Sequence, residues 1–270
     1  MNIKLEIEYD GRELSGWQRQ ELGISTVQGI LEDALTRYLK SRLSKAGVSG
    51  SDFINSRGVI LRGASRTDAG VSAKAQVACF SWPEIVNDIS GFDEFKFLRS
   101  INGMTPETIS VISAVPVNDD FNPRRDAIEK EYIYSISFRA VAPAINREMI
   151  WHVPWVRNNI NAMEAASRLF AGTHDFSEFR ASDCSAKSCI RDINTSELYD
   201  LGSGTFEFRI KGNGFLKQMV RIIVGEIIDV GFERSSPQKI MGLLSGAPRP
   251  GLKRRCAPAY ALRLEKIYYP

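Results

Sequence analysis

The chain opens on strict alternation: Ile3, Leu5, Ile7 and Tyr9 interleave with Lys4, Glu6 and Glu8, the period-two pattern of a strand with one face buried and one in water. The period then changes. Val27, Ile30, Leu31, Ala34, Leu35, Tyr38 and Leu39 keep i, i+3, i+4 spacing, which predicts a helix with one apolar face, and Ser25 followed by Gln28 predicts a capping box at its start. Residues 59–61 and 76–80 read as strands, 92–101 as a helix, and 108–117 as a strand rich in β-branched residues. Turn formers take over at Asn118-Asp119-Asp120-Phe121-Asn122-Pro123, which predicts a linker and two domains, 1–117 and 118–270. In the second, Tyr132, Tyr134, Ile136 and Phe138 share a strand face. Residues 161–170 form a short helix, Phe206, Phe208 and Ile210 mark another strand, and 215–230 is apolar nearly all round, as a buried helix is. Strands and helices mix in both halves without a Gly-rich dinucleotide fingerprint, so the predicted class is α+β.

Composition narrows the picture only a little. At 270 residues, 43% hydrophobic and 25% charged, the chain matches an ordinary globular protein with a substantial core. No apolar run nears the ~20 residues of a membrane span, and Met1-Asn2-Ile3-Lys4-Leu5-Glu6 alternates charge too early for a signal peptide. No membrane partner and a cytoplasmic location are therefore expected. Cys79, Cys184, Cys189 and Cys256 are scattered, and with His152 and His174 they do not make a four-ligand zinc spacing. No metal is expected, and free thiols suit a reducing compartment. A net charge of +3 exerts little pull on nucleic acid, but the basic residues cluster: Arg37, Lys40, Arg42 and Lys45; Arg124 and Arg125; and Arg249, Lys253, Arg254 and Arg255. Each cluster also reads as a solvated face, and the first as cations favoured by a helix C-terminus.

The segment Gly63-Ala64-Ser65-Arg66-Thr67-Asp68-Ala69-Gly70-Val71 holds one carboxylate and one guanidinium among residues with almost no bulk. Such a loop lets a large substrate approach the backbone closely; its plain alternative is a surface turn with a local ion pair. Arg221 stands within an apolar helical stretch, where a guanidinium needs an anionic neighbour.

The order of several segments adds specificity. Tyr9-Asp10-Gly11 precedes Gly16-Trp17-Gln18-Arg19-Gln20, Thr26-Val27-Gln28-Gly29, Arg66-Thr67-Asp68-Ala69-Gly70-Val71 and Lys130-Glu131-Tyr132-Ile133-Tyr134. Phe170-Ala171-Gly172-Thr173-His174-Asp175-Phe176, Asn213-Gly214-Phe215-Leu216 with Met219-Val220-Arg221, and Ala257-Pro258-Ala259 before Leu262-Arg263-Leu264 complete the set. From about residue 3 onward this resembles the TruA family of tRNA pseudouridine synthases.

The resemblance implies two ferredoxin-like, RRM-like halves with a continuous central antiparallel sheet and an active-site cleft between them. It also implies a homodimer, tRNA as the partner, uridines 38, 39 and 40 of the anticodon stem-loop as targets, and no cofactor. Asp68 matches the family's catalytic aspartate, Tyr132 its active-site tyrosine, Arg221 the arginine that pairs with that aspartate, and Leu262 a leucine that walls the pocket. Arg66 is expected to brace RNA from which the uridine has been extruded, and Arg124 and Arg125 to meet phosphates. Ser65, Ser72 and Ala261 depart from the family pattern, which prefers glycine, histidine and glycine there.

Two other readings remain open on the residues alone. An RNA-binding module without catalysis would use Lys211-Gly212-Asn213-Gly214-Phe215-Leu216 as an RNP1-like strand, yet Asn213 and Gln218 stand at its aromatic positions and the segment reads as opening a helix. An N-glycosidic hydrolase would need a second carboxylate, for which Asp175 or Glu178 would have to come from far along the chain.

Overall fold

In the computed structural model, residues 1–21, 23–45, 58–83, 92–154, 159–248 and 255–270 are described, and they divide into two units, Met1–Ala127 with Tyr269–Pro270, and Ile128–Tyr268. The first unit runs β1 (Asn2–Tyr9), α1 (Val27–Lys45), β2 (Arg62–Gly63), β3 (Ser72–Ser81), α2 (Glu94–Asn102) and β4 (Ile109–Val117). Its antiparallel sheet has the order β4-β1-β3 with β2 on the outer edge of β3, the β-α-β-β-α-β arrangement of ferredoxin-like folds. The alternation of β1 does what it predicts: Ile3, Leu5 and Ile7 are fully buried, and Leu5 lies between Ala78 and Ala114 of its neighbours.

Two local expectations are corrected here. The capping oxygen of α1 comes from Thr26, which accepts from Gly29 N at 3.3 Å, while Gln28 is buried and turned inward. Its amide bridges Glu32 Oε1 at 3.0 Å and Leu61 O at 2.9 Å. The stretch 59–61 alternates like a strand but finds its partners on α1: Val59 N donates to Thr36 Oγ1 and Leu61 N to Glu32 Oε1, both at 2.9 Å. Side chains of a helix thus satisfy the backbone groups that a neighbouring strand would otherwise take, and the ladder shrinks to Arg62 and Gly63.

The segment expected as a linker packs into the first unit. Tyr269 places its ring 5.5 Å from Phe121 and donates its hydroxyl to Pro123 O at 2.7 Å. Lys4 Nζ stands about equally over both rings, at 6.0 and 5.9 Å. Residues 118–127 accordingly group with the N-terminal unit, and the division falls between Ala127 and Ile128.

The second unit contains β5 (Glu129–Ser137), β6 (Trp151–His152), α3 (Ile160–Arg168), β7 (Gly172–Asp175), β8 (Ile190–Asp200), β9 (Thr205–Gly212), α4 (Met219–Gly231), α5 (Pro237–Leu244) and β10 (Leu262–Tyr268). Its order is β10-β5-β9-β8-β7, antiparallel throughout, with β6 added parallel to β5. Without β6 and β7 this is the same topology as the first unit. Lys211 and Gly212 end β9 and do not open a helix, and α4 starts only at Met219, after Gln218 at φ 60°. Among the described residues no helix is long and apolar enough to cross a membrane.

Candidate active site

The Asp68 loop is built from the outside in. Ala64 N donates to Val77 O at 2.8 Å, and the fully buried Gln76 clamps the next residue, accepting from Ser65 N at 3.2 Å and donating to Ser65 O at 2.9 Å. On the other side, Tyr9 Oη is 2.7 Å from Thr67 Oγ1, Trp17 N donates to Thr67 O at 3.2 Å and Gly70 N to Leu14 O at 3.1 Å. Two glycines permit this approach. Gly63 lies so close to the Trp17 indole that a Cβ would sit 2.5 Å from the ring, and Gly16, at φ +90°, presses against Thr67–Ala69, where a Cβ would be 2.8 Å from Thr67 O. The segments containing Tyr9, Gly16-Trp17, Thr26–Gly29 and Arg66–Val71, separate in sequence, meet in one scaffold, since Val27 N and Gln28 N also donate to Gly16 O and Trp17 O. It fixes the loop backbone from both flanks and leaves Asp68 half-buried, Thr67 buried and Arg66 exposed.

Two arginines of the neighbouring segments are ion-paired. Arg12 binds Asp10 at 2.6 Å and holds its carboxyl below the usual range, while Arg19 pairs with Glu32 and Asp33, each at 2.6 Å. Ser72, where the family favours histidine, is buried and accepts from Gly11 N at 3.1 Å, so this departure lies in the loop's support. Neither Ser65 nor Ala261 has positive φ, so neither position requires glycine for its backbone.

The second unit gathers the other expected residues. Tyr132 is buried with its ring 5.0 Å from Phe215 in an edge-on contact. Tyr134, on the same face, is fully buried and donates its hydroxyl to Pro258 O at 2.8 Å; burial pushes this phenol far up. Arg221, in the first turn of α4, donates Nε to Ala257 O at 2.8 Å and accepts from Ala257 N at 3.0 Å through its own carbonyl. One turn on, a Cβ at Gly225 would overlap the carbonyl oxygen of Arg255. The 255–258 segment is thereby pinned by α4 and by Tyr134, and it leads into β10, where buried Leu262 stands opposite Tyr134 and Leu264 opposite Tyr132.

The expectation of an enclosed Arg221 is corrected, because the residue is half-buried and keeps access to water, which removes the strict need for an anion. The buried charge of α4 is Glu226, 3% exposed, which binds Ser235 Oγ and, at 3.2 Å, Lys239 Nζ of α5. Arg124 and Arg125 lie exposed on a turn capped by Asn122 Oδ1, which accepts from both backbone amides at 3.0 and 3.1 Å. Arg125 pairs with Asp126 at 2.7 Å. Of the C-terminal cluster, Arg255 binds Asp229 at 2.8 Å, and Arg249, Lys253 and Arg254 lie outside the described residues. Gln76 went unread as a site residue; its one signal was a large amide amid the apolar run of β3.

Comparisons with known proteins match this arrangement of segments to one family. A family model described as tRNA pseudouridine synthase matches residues 166–270. Over the whole chain, the protein is 36% identical across 269 residues to tRNA pseudouridine synthase A of Geobacter sp. (strain M21), covering 100% of this chain and 99% of the relative. It is 37% identical across 268 residues to the protein of that name from Citrifermentans bemidjiense, covering 99% and 97%. With the one from Acetivibrio thermocellus the identity is 37% across 270 residues, covering 99% of each.

Proposed function

The chain belongs to the tRNA pseudouridine synthase A family, an isomerase family acting on tRNA, and from that premise we propose that Asp68 is its catalytic carboxylate. The observation that supports this is the scaffold around the loop. A half-buried carboxylate is held on a loop whose backbone is tied to Gln76 and Trp17 and whose Thr67 side chain is tied to Tyr9, and such pre-organisation is what acting on a bound substrate requires.

The reaction breaks the bond from N1 to the ribose carbon and makes a bond from C5 to that carbon, and the C5 proton is lost as N1 gains one. Atoms and electrons balance without an oxidant. Asp68 acts on the ribose or base while the uracil is detached. Tyr132 stacks on the ring, Arg221 serves with Asp68 as one catalytic unit, and Leu262 keeps water from the intermediate. Arg66, exposed beside Asp68, occupies space left by the extruded uridine, and Arg124 with Arg125 meets phosphates. The targets are uridines 38, 39 and 40 of the anticodon stem-loop, and the working form is a cytoplasmic homodimer. Family membership removes the reasons for a purely RNA-binding module or a hydrolase.

Asp68→Asn is near-isosteric. It should abolish isomerisation of a tRNA transcript, followed with a pseudouridine-selective chemical tag, and leave tRNA binding intact. Asp68→Asn and Arg221→Met should couple by about 0.5 to 3 kcal/mol in a double-mutant cycle on rate or stability. Substantial turnover by Asp68→Asn, or strictly additive effects, would refute the assignment.

A further inference from the structure

The backbone that tethers Arg221 is held from two sides. Ala257 N donates to Arg221 O at 3.0 Å and Ala257 O accepts from Arg221 Nε at 2.8 Å, so one residue meets the arginine through both of its backbone groups. The next carbonyl is held by a different element: Pro258 O accepts from Tyr134 Oη of β5 at 2.8 Å. Ala257 O therefore lies between two anchors, Ala257 N on α4 and Pro258 O on β5. Little freedom separates the two carbonyls. The peptide between them is planar and the Pro258 ring locks φ, here −52°, so ψ of Pro258 is the main variable left, and the bond to Tyr134 sets it. Orientation matters more for an arginine than for a point charge. The guanidinium is planar, so a bond at Nε fixes its plane and with it the directions of both Nη groups.

Tyr134 has no exposed surface and so cannot touch tRNA. Its ring stands edge-on to Trp151 at 6.1 Å and lies opposite Leu262 in the ladder. Burial pushes its phenol far above the ordinary range, and Arg221 is near enough to oppose that rise only in part. The hydroxyl thus stays a neutral donor at every pH at which RNA is handled, which leaves it no part in proton transfer. We propose that Tyr134 is a positioning residue for the isomerisation: by holding the Pro258 carbonyl it places Ala257 O, and through it the Arg221 guanidinium, in the working orientation. This inference rests on the assignment of Arg221 to the catalytic unit above.

The test measures single-turnover isomerisation of a tRNA transcript with enzyme in excess, and Kd by filter binding, for wild type, Tyr134→Phe, Arg221→Met and the double variant, all well below the lowest Tm. Phenylalanine keeps the buried ring and removes only the hydroxyl. Misplacing a reacting group by about 1 Å costs up to 100-fold, and a guanidinium whose tether loses one of two supports moves less, so Tyr134→Phe should slow turnover by about 10-fold. Its Kd and the shape of its pH–rate profile should match wild type. In the Arg221→Met background the same substitution should change the rate by less than about twofold, because the carbonyl then has no guanidinium to place. A merely structural role would slow both backgrounds alike. Pro258→Ala releases φ with Tyr134 intact and should reproduce the pattern on a smaller scale, which decides the matter if Tyr134→Phe folds poorly. Wild-type turnover by Tyr134→Phe, a rise in Kd that accounts for its loss, a missing limb of the pH profile, or equal losses in the two backgrounds overturns the proposal. Failure of the reading it rests on shows separately, as an Arg221→Met protein that turns over like wild type.

Discussion

Replacing Gln76 by methionine removes the clamp on the Asp68 loop at nearly constant volume. The amide is fully buried and serves both backbone groups of Ser65, at 3.2 and 2.9 Å. Methionine offers neither a donor nor a comparable acceptor, so both groups lose a partner, at about 1 to 3 kcal/mol for each group sealed from water. Ser65 is only half-buried, which lets water compensate in part. The expected destabilisation is therefore about 2 to 4 kcal/mol, seen as a fall in Tm on the order of 10 °C for a chain of this size. The loop stays attached at Thr67 and Gly70 but loses its fixed entry at Ser65. Misplacement of a reacting group by about 1 Å costs up to 100-fold, so single-turnover isomerisation should slow by roughly 10- to 100-fold while the Kd for tRNA holds. The assays are thermal unfolding, tag-detected single turnover and filter binding on one preparation. A Q76M protein with wild-type Tm and wild-type turnover would refute the clamp; a large rise in Kd with normal turnover would show that Gln76 acts on binding instead.

Three further outcomes follow from the geometry. Gly225→Ala places a methyl group against Arg255 O, pushing the 255–258 segment off α4, and should cost about 1 to 3 kcal/mol in urea denaturation. Arg124→Gln should lower the salt slope of tRNA binding by about one, and Arg125→Gln by less, because Arg125 is already engaged by Asp126; filter binding across a salt series separates them. Tyr268 donates its hydroxyl to Glu131 at 2.6 Å, which pushes the phenol up to about 12. Since the folded value lies above that of the unfolded chain, its contribution to stability is complete below pH ~10 and lost as pH rises through the folded value. Absorbance titration should show that shift fall away in Glu131→Gln.

Where one face of an element is apolar and the other polar, the sequence predicted the element: β1, α1 and β9 follow from period, and β4 from its β-branched residues. Strand β8 did not, for a physical reason. A bulge between Ile193 and Thr195 breaks the alternation, so buried positions fall at Ile193, Ser196 and Leu198. One of them is a serine, which donates to Ser167 O at 2.7 Å to hold α3 on the sheet. Polar groups that act inside the protein mislead period counting in the same way at Gln28, Gln76 and Glu226. On the site, small residues around Arg66 and Asp68 announced a close-approach loop, but the roles of Tyr132 and Leu262 came from family resemblance alone. Parity on β5 does not distinguish Tyr132 from Tyr134, since both are buried on one face. The bond from Tyr134 to Pro258 O identifies Tyr134 as a structural strut, a distinction only the three-dimensional arrangement supplies.

The ring pair of Phe121 and Tyr269, with Lys4 above both, sets an order of events on the ribosome. Residues 1–127 leave the exit tunnel first, yet Tyr269, which closes their aromatic cluster and takes up the Pro123 carbonyl, is translated after the entire second unit. At about 5 to 20 residues per second, that leaves the first unit waiting roughly 7 to 30 s for its last ring. During the interval β1 and Phe121 lack that cover, so the nascent N-terminal unit reaches its final packing only once its successor has been made.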